Sequence, residues 1–382
     1  MSVVVNTNAG SSGFRLPEPV WRTLKSGPTE QAPNTDAGRL HGAVVFRPVL
    51  SVPDGYDSQL YLLERSLIGT EDWRILAKYR FKGRSIVQVS GNYALDSDGA
   101  VWRINNGMQL PHPPTLMPGL SGIRHISTNE HGGYAVTRGG SIYGWGSGTQ
   151  GRLTRQDQVA AETPIRLDLK GLFVRVFALG RTGYAEEHNS NFHGWGSNWD
   201  YRLGAKRPAF MHNAKRIFGV TPVHELTNFP SGAPKEGTLH RHVIARSSEG
   251  KVYSWGRSLK PGTLWGKRDR YDPPRQLSGA PKATQLFGSD QVLYCVTAAG
   301  NVYSWTDLFK PASQVRLSKS LVKVSPDGTF GVDKNNELWH HSEVGVTAIK
   351  PHAKPLAVIA GDANCIHLSN QEDKVWVLVK RR

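Results

Sequence analysis

A short pattern recurs along this chain: a turn residue, an aromatic residue three positions later, and a second bulky residue two positions after that. Ser141–Gly151 reads SIYGWGSGTQG, Asn191–Gly196 reads NFHGWG, Gly250–Gly256 reads GKVYSWG and Gly300–Trp305 reads GNVYSW. Self-similarity at a spacing of several tens of residues constrains the whole fold, because each unit must bury a face against its neighbours. Alignment on the turn residue gives seven copies, at Gly99, Gly140, Ser190, Gly250, Gly300, Asn336 and Asp373. These residue types tolerate the left-handed backbone of tight hairpins. The first column is Trp102, Tyr143, His193, Tyr253, Tyr303, Trp339 and Trp376, and the second is Ile104, Trp145, Trp195, Trp255, Trp305, His341 and Leu378. A spacing of two puts both columns on one face of a strand, so Trp102, Tyr143, Trp145, Trp195, Tyr253, Trp255, Tyr303, Trp305, Trp339 and Trp376 are expected to be structural core.

Each copy is preceded by a small apolar run, such as IVQVS at 86–90, IRHIS at 123–127 or VRVFA at 174–178, with the last at 356–360. A middle run such as GYAVT at 133–137 follows, and after the turn strand comes a polar loop and a fourth segment such as TPIRL at 163–167. Four short antiparallel strands per unit predict an all-β fold, a β-propeller of seven four-stranded blades. The chain stops soon after Trp376, so the last blade lacks an outer strand, and Trp73–Phe81 is expected to close the ring with N-terminal sequence. Ser58–Leu63 also fits the turn-plus-aromatic pattern, and an eighth, incomplete copy there is the alternative count. The runs AVVFRPVL and QLYLL between Gly42 and Leu63 read as a hairpin.

Residues 1–40 are rich in Ser, Gly, Pro, Asn and Thr and read as an extended arm in which only Val3–Val5 and Pro19–Leu24 are able to pack. The propeller then occupies 41–382, with a rim insertion at about 205–241, where the turn-to-turn spacing is largest. Functional residues concentrate in such loops. No run approaches the ~20 apolar residues of a bilayer span, and the N-terminus lacks the basic-then-apolar layout of a secretory signal, so synthesis inside the cell is expected. Cys295 and Cys365 lie in apolar alternating segments and read as buried thiols.

These repeats resemble the regulator-of-chromosome-condensation family of seven-bladed propellers. The family's repeat has a valine-tyrosine, tryptophan-glycine shape followed by a polar loop ending glycine-glutamine-leucine-glycine; Gly140–Leu153 is a close match to it, Asn191–Gly204 a good one, and Gly250–Gly266 matches with an expanded loop. The resemblance covers roughly 85–380 and weakens where Trp-Gly becomes Ile104-Asn105, His341-Ser342 or Leu378-Val379. It implies the architecture and a range of roles: guanine-nucleotide exchange on a small nuclear GTPase with nucleosome docking, ultraviolet reception, or a propeller attached to ligase or kinase domains. No functional residue of these transfers position by position, and fold analogy alone does not assign function.

The motifs of catalysis are not in the sequence. It has no GxSxG elbow and no phosphate-binding loop ending in Gly-Lys-Ser/Thr, and the glycines of SGTQG are explained by turn geometry. His240, His242 and the pair His340-His341 have no further ligands at metal-site spacing, so neither a metal nor a cofactor is expected, nor an enzyme. The formal net charge of +16 permits acidic protein or nucleic-acid partners. The candidate partner-binding residues are the basic and aromatic side chains of the rim: Trp199, Tyr201, Lys206, Arg207, Lys215, Arg216, Lys267, Arg268 and Arg270. Three functional readings stand. The first is a non-enzymatic scaffold or interaction propeller in a larger assembly, such as a virion or tail, using the arm and rim loops. The second is an exchange factor or chromatin-binding propeller. The third is a nucleic-acid-binding module, with stacking and phosphate contacts from the basic loops.

Overall fold

In the computed structural model the described residues are those of the strands and turns between 84 and 315, except 105–112, 221, 230–238, 260–268 and 290–291. To these are added the strands Val20–Thr23, Ser58–Arg65, Trp73–Phe81, Leu321–Val324, Phe330–Asp333, Leu338–Ser342, Ala363–Gln371 and Lys374–Arg381. Among the described residues all regular structure is β, apart from two single 3-10 turns. The strands form four-stranded antiparallel sheets, the blades of a propeller.

Five blades follow one another along the chain and are described with side chains. Blade A contains Ile86–Ser90, Tyr93–Asp96, Val101–Arg103 and Thr115–Leu116. Blade B contains Ile123–Asn129, Gly132–Thr137, Ile142–Gly146 and Ala161–Arg166. Blade C contains Phe173–Leu179, Thr182–Glu187, Phe192–Ser197 and Phe210–Ile217. Blade D contains Val223–Asn228, Leu239–Ser247, Val252–Leu259 and Asp269–Gln276. Blade E contains Ala283–Ser289, Val292–Thr297, Val302–Trp305 and Ser313–Val315.

Two further four-stranded sheets draw on both ends of the chain. Leu321–Val324, Phe330–Asp333 and Leu338–Ser342 are joined by Val20–Thr23, which pairs Val20 with Ser342 and Thr23 with Trp339. Ala363–Gln371 and Lys374–Arg381 are joined by Ser58–Arg65 and then Trp73–Phe81. This corrects the alignment of the last repeat. Asp373 lies in the connection between the first and second strands of its sheet, whereas Gly99, Gly140, Ser190, Gly250 and Gly300 connect second and third strands. Ser58–Arg65 supplies the third strand, so the segment read as an eighth copy completes this sheet, and the N-terminal sequence contributes two strands to it instead of one. Gln59–Leu63 pairs with Lys374–Arg381 and Trp73–Phe81 on its two sides. The run 43–50 and the inner strand expected at 356–360 lie outside the described residues.

The third-strand columns explain why the repeat has its shape. Trp145, Trp195, Trp255 and Trp305 are at most 3% exposed, and Ile104 is fully buried. The first column is half-buried: Tyr143, Tyr253 and Tyr303 pack against the clusters between blades. Trp102 is half-buried too, donating its indole N–H to Asp96 Oδ2 at 3.0 Å under the Arg84 guanidinium. The side chains of Trp339 and Trp376 lie outside the described residues.

In blades B and C the polar loop after Trp-Gly clamps the blade to its neighbour. In blade B this loop places the Arg152 carbonyl where Tyr134 Oη donates to it at 2.9 Å and Trp195 Nε1, from blade C, donates at 3.0 Å. In blade C, Arg202 O accepts from Tyr184 Oη at 3.0 Å and from Trp255 Nε1 of blade D at 2.6 Å. A buried carbonyl left alone is costly, so each Tyr–Trp pair both satisfies an acceptor and fixes the blade-to-blade angle. In blades B and C the tryptophan ring lies across a glycine of the adjacent strand: a Cβ on Gly133 or Gly183 would fall 2.3 Å from the ring of Trp145 or Trp195.

The inner strands of blades A, B and D carry a second recurring device, at their third position. Gln88 Nε2 donates to Ile126 O at 2.7 Å, and its Oε1 accepts from Ile126 N–H at 3.0 Å. His125 Nδ1 accepts from Val176 N–H at 3.5 Å, and the Glu225 carboxylate accepts from Leu286 N–H at 3.1 Å. A polar residue of one blade thereby caps backbone of the next. Ser58 Oγ does the same for Ile86 N–H at 2.9 Å, tying the N-terminal strand to blade A.

Candidate partner-binding surface on the loop face

Strand register defines two faces. In blade C, Phe173 pairs with Glu187 at one end and Leu179 with Thr182 at the other, while Thr182 pairs with Gly196. The second-to-third-strand hairpins therefore emerge on one face, here the turn face. The loops that follow Trp-Gly emerge on the opposite one, the loop face.

The loop from Ser197 to Phe210 is the most built feature of the loop face. Asn198 organises it: Nδ2 donates to Ala205 O at 2.9 Å and to Pro208 O at 2.8 Å, and Oδ1 accepts from Leu203 N–H at 2.8 Å. Asp200 and Tyr201 hold left-handed backbone, φ 61° and 58°. The equivalent residue of blade B, Gln150, has φ 59°, so the strained turn belongs to the repeat. On this tied backbone Trp199 is 58% exposed. Tyr201 is held edge-on against Tyr271 of blade D, whose hydroxyl donates to Gly204 O. Lys206, Arg207 and Phe210 project from the same loop into solvent.

Beneath Trp199, the carboxylate of Asp200 is buried between two guanidiniums of blade D. Arg257 Nη1 lies 3.4 Å from Oδ1 and Arg241 Nη1 lies 3.7 Å from Oδ2. Beside them, Arg270 Nε is 2.7 Å from Asp272 Oδ1, and Phe309 of blade E carries Arg270 and Arg275 at 4.8 and 4.6 Å from its ring centroid. The structure therefore gathers Trp199, Tyr201, Lys206, Arg207 and Arg270 on the loop face of blades C to E.

Lys215 and Arg216 are not part of this group. They lie near the far end of the outer strand Phe210–Ile217, roughly 20 Å from its loop-face end at ~3.3 Å per residue. There Arg216 covers the exposed ring of Phe218 at 5.0 Å. The stretch that reads as one basic–aromatic loop is thus split between two faces by a strand. Lys267 and Arg268 lie outside the described residues. Asp200, Arg241, Arg257, Tyr271 and Phe309 escaped the sequence reading. Asp200 had a usable signal, its place one residue after Trp199 in the repeat position of Gln150; the others are joined only by blade packing.

Asp272 also contacts a serine and a histidine. Ser258 Oγ donates to Asp272 Oδ2 at 2.5 Å, and His242 Nε2 lies 3.0 Å from the same oxygen. These are the residue types of a hydrolase triad in another order, since the serine donates to the carboxylate. All three are at most 3% exposed. Burial holds His242 below the usual imidazole range, while burial of Asp272 is outweighed by its hydrogen bonds from His242 and Ser258, so its pKa is lowered. The cluster is an ionised carboxylate held in the wall of blade D. Among the described residues no three His, Cys, Asp or Glu side chains converge on a point that could hold a metal. Among the described residues no helix is long and apolar enough to cross a membrane.

No family model matches the chain. It is 26% identical over 232 residues to the human E3 ubiquitin-protein ligase HERC2, a match covering 56% of this chain and 5% of that protein. It is 26% identical over 259 residues to the Xenopus laevis regulator of chromosome condensation, covering 58% of each. The matches therefore span less than two thirds of either relative. Among solved structures, human WBSCR16 superposes with a TM-score of 0.52 at 15% identity, over 84% of this chain and 91% of that one, and so shares the fold. In its Trp-Gly repeats, its four-stranded blades and these relatives, the chain is similar to the regulator-of-chromosome-condensation repeat family, at low identity.

Proposed function

We propose that this chain is a non-enzymatic protein-docking propeller of the exchange-factor or chromatin-binding kind, and that its loop face receives an acidic protein surface. One observation carries the reading: Trp199 is 58% exposed on a loop whose backbone is tied by three Asn198 hydrogen bonds. A large aromatic held rigidly in water, on a face that also carries Lys206, Arg207, Arg241 and Arg270, has the composition of an interface hot spot with a charged rim. The Xenopus relative is named a regulator of chromosome condensation, which favours this class over a virion or tail scaffold.

The seven four-stranded sheets support a seven-bladed ring, because the inner strands of successive sheets touch in cyclic order, with Ala363–Gln371 meeting Ile86–Ser90. In this reading residues 1–40 are an arm anchored by Val20–Thr23, and 41–382 form the propeller with its rim segment at about 205–241.

The test is nucleotide release from a panel of small GTPases and binding to reconstituted nucleosomes, with Trp199→Ala and the pair Lys206→Gln/Arg207→Gln. Acceleration of release or nucleosome binding, weakened by these variants and by salt, supports the proposal. Neither activity in the unmutated protein, or activity that the loop-face variants leave intact, overturns it. Binding to free single-stranded nucleic acid with loss in the same variants would favour the nucleic-acid reading instead.

A further inference from the structure

A cleft of about 320 Å³ opens on the turn face between blades B and C, lined by Arg124, His125, Val174, Arg175 and His188. It lies at the end of blade C opposite Trp199, since Val174 and His188 flank the Phe173–Glu187 pair. We propose that this cleft is a binding site for a small phosphate-type oxyanion, either free inorganic phosphate or the phosphate of a small monoester.

The charge in the cleft is arranged for such a group. Arg175 is anchored from behind: its Nη1 contacts the buried carboxylate of Glu186 at 2.6 Å, while the side chain remains 23% exposed toward the opening. Arg124 is exposed at the mouth and makes no ion pair among the described residues. Two guanidiniums therefore face one carboxylate, and that carboxylate is turned into the blade. His125, in the floor, is held neutral: burial and the nearby Arg175 push its pKa down to about 3. It adds no charge and takes the Val176 N–H on Nδ1. His188 is exposed on the hairpin of blade C, where its own N–H donates to Leu172 O at 2.8 Å, so the loop that carries the imidazole is fixed. Val174 gives one apolar wall.

Guanidinium forks bind tetrahedral oxyanions through paired, charge-assisted hydrogen bonds, and a site with one arginine pre-oriented by a buried carboxylate loses little side-chain freedom on binding. The volume is at the small end of ligand pockets, which fits a phosphate with a short substituent. The corresponding inner-strand positions of blades A and E, Gln88 and Gln285, carry no charge, so blades B and C alone among these place two guanidiniums at one opening.

Isothermal titration of the full chain with inorganic phosphate and, separately, with glycerol 3-phosphate tests this at constant ionic strength. Saturable 1:1 binding is expected for at least one of them, and the tighter of the two identifies the source. Arg124→Gln, an exposed position that leaves the Arg175–Glu186 pair in place, is expected to weaken binding about ten-fold or more. His188→Asn is expected to weaken it less, and Lys215→Gln, at the outer strand, to leave it unchanged. Absence of saturable binding of either probe overturns the proposal, as does binding that Arg124→Gln leaves within about two-fold of the original. Docking on the loop face stands or falls separately.

Discussion

The Tyr–carbonyl–Trp clamp makes a quantitative prediction about how blades hold together. Trp195→Phe removes the donor that Arg152 O receives from blade C and puts a single six-membered ring in place of a fully buried indole. Because Tyr134 still donates to that oxygen at 2.9 Å, the lost bond is expected at the low end, ~0.5–1 kcal/mol. A residual void of about 40 Å³ adds ~1 kcal/mol at ~24 cal/mol per Å³, and lost apolar burial adds about as much again. The total is about 2–3 kcal/mol. Tyr134→Phe alone leaves the Trp195 bond and is expected to cost about 1 kcal/mol. The double variant leaves Arg152 O without either donor, so its cost should exceed the sum of the two singles by about 1 kcal/mol. Urea unfolding followed by far-ultraviolet circular dichroism on all four proteins measures this, with Trp199→Phe as an exposed control expected within ~0.5 kcal/mol of the parent. Additive single and double costs would refute the shared-acceptor account, and a Trp195→Phe cost equal to that of Trp199→Phe would refute the clamp itself.

Gly183→Ala is expected to destabilise by about 1–3 kcal/mol, read from the same urea curves, because the new methyl meets the ring of Trp195 at 2.3 Å and neither can move freely. The His125→Gln variant should flatten the acid side of the stability profile. Folded His125 stays neutral to about pH 3, whereas the unfolded residue protonates near its ordinary 6.5; stability is lost as pH falls between these values, at up to ~1.4 kcal/mol per pH unit, and Gln removes that slope. Thermal midpoints from pH 7 to 4 would check it, and Gln is already the residue at this position in blades A and E. Arg246→Met strips the partner at 2.7 Å from the buried Glu225 and should cost about 3–5 kcal/mol, whereas Arg246→Met with Glu225→Gln should recover a large part of it.

Much of the architecture is legible in the residues because a repeat states the same physical requirement several times. Turn glycines, the paired columns and the apolar inner runs each predict one strand of a blade, and Ile86–Ser90 coincides with its predicted run. The reading slipped where the repeat was weakest. Trp376 satisfies the spacing of a third strand but sits in a second one, because Ala363–Gln371 pairs directly with Lys374–Arg381 and leaves the next place for Ser58–Arg65. Local pattern cannot register a strand whose partner is some 300 residues away; that register is set by which sheet edge is open. Trp199 was likewise visible as a rim residue, but its exposure depends on Asn198 reaching two carbonyls across the loop.

By itself, then, the sequence determined the strand-by-strand pattern, the burial of the second-column tryptophans and the family resemblance, since each follows from local periodicity and residue type. Tertiary structure alone decided which groups from different blades meet. It put Lys206 on the loop before the strand Phe210–Ile217 and Lys215 near that strand's far end, brought Arg241 and Arg257 onto Asp200, and opened the cleft between Arg124 and Arg175. The physical reason is that electrostatic and hydrogen-bonded encounters depend on distances of a few ångströms across blade interfaces, and those distances are fixed by packing between strands far apart in the chain.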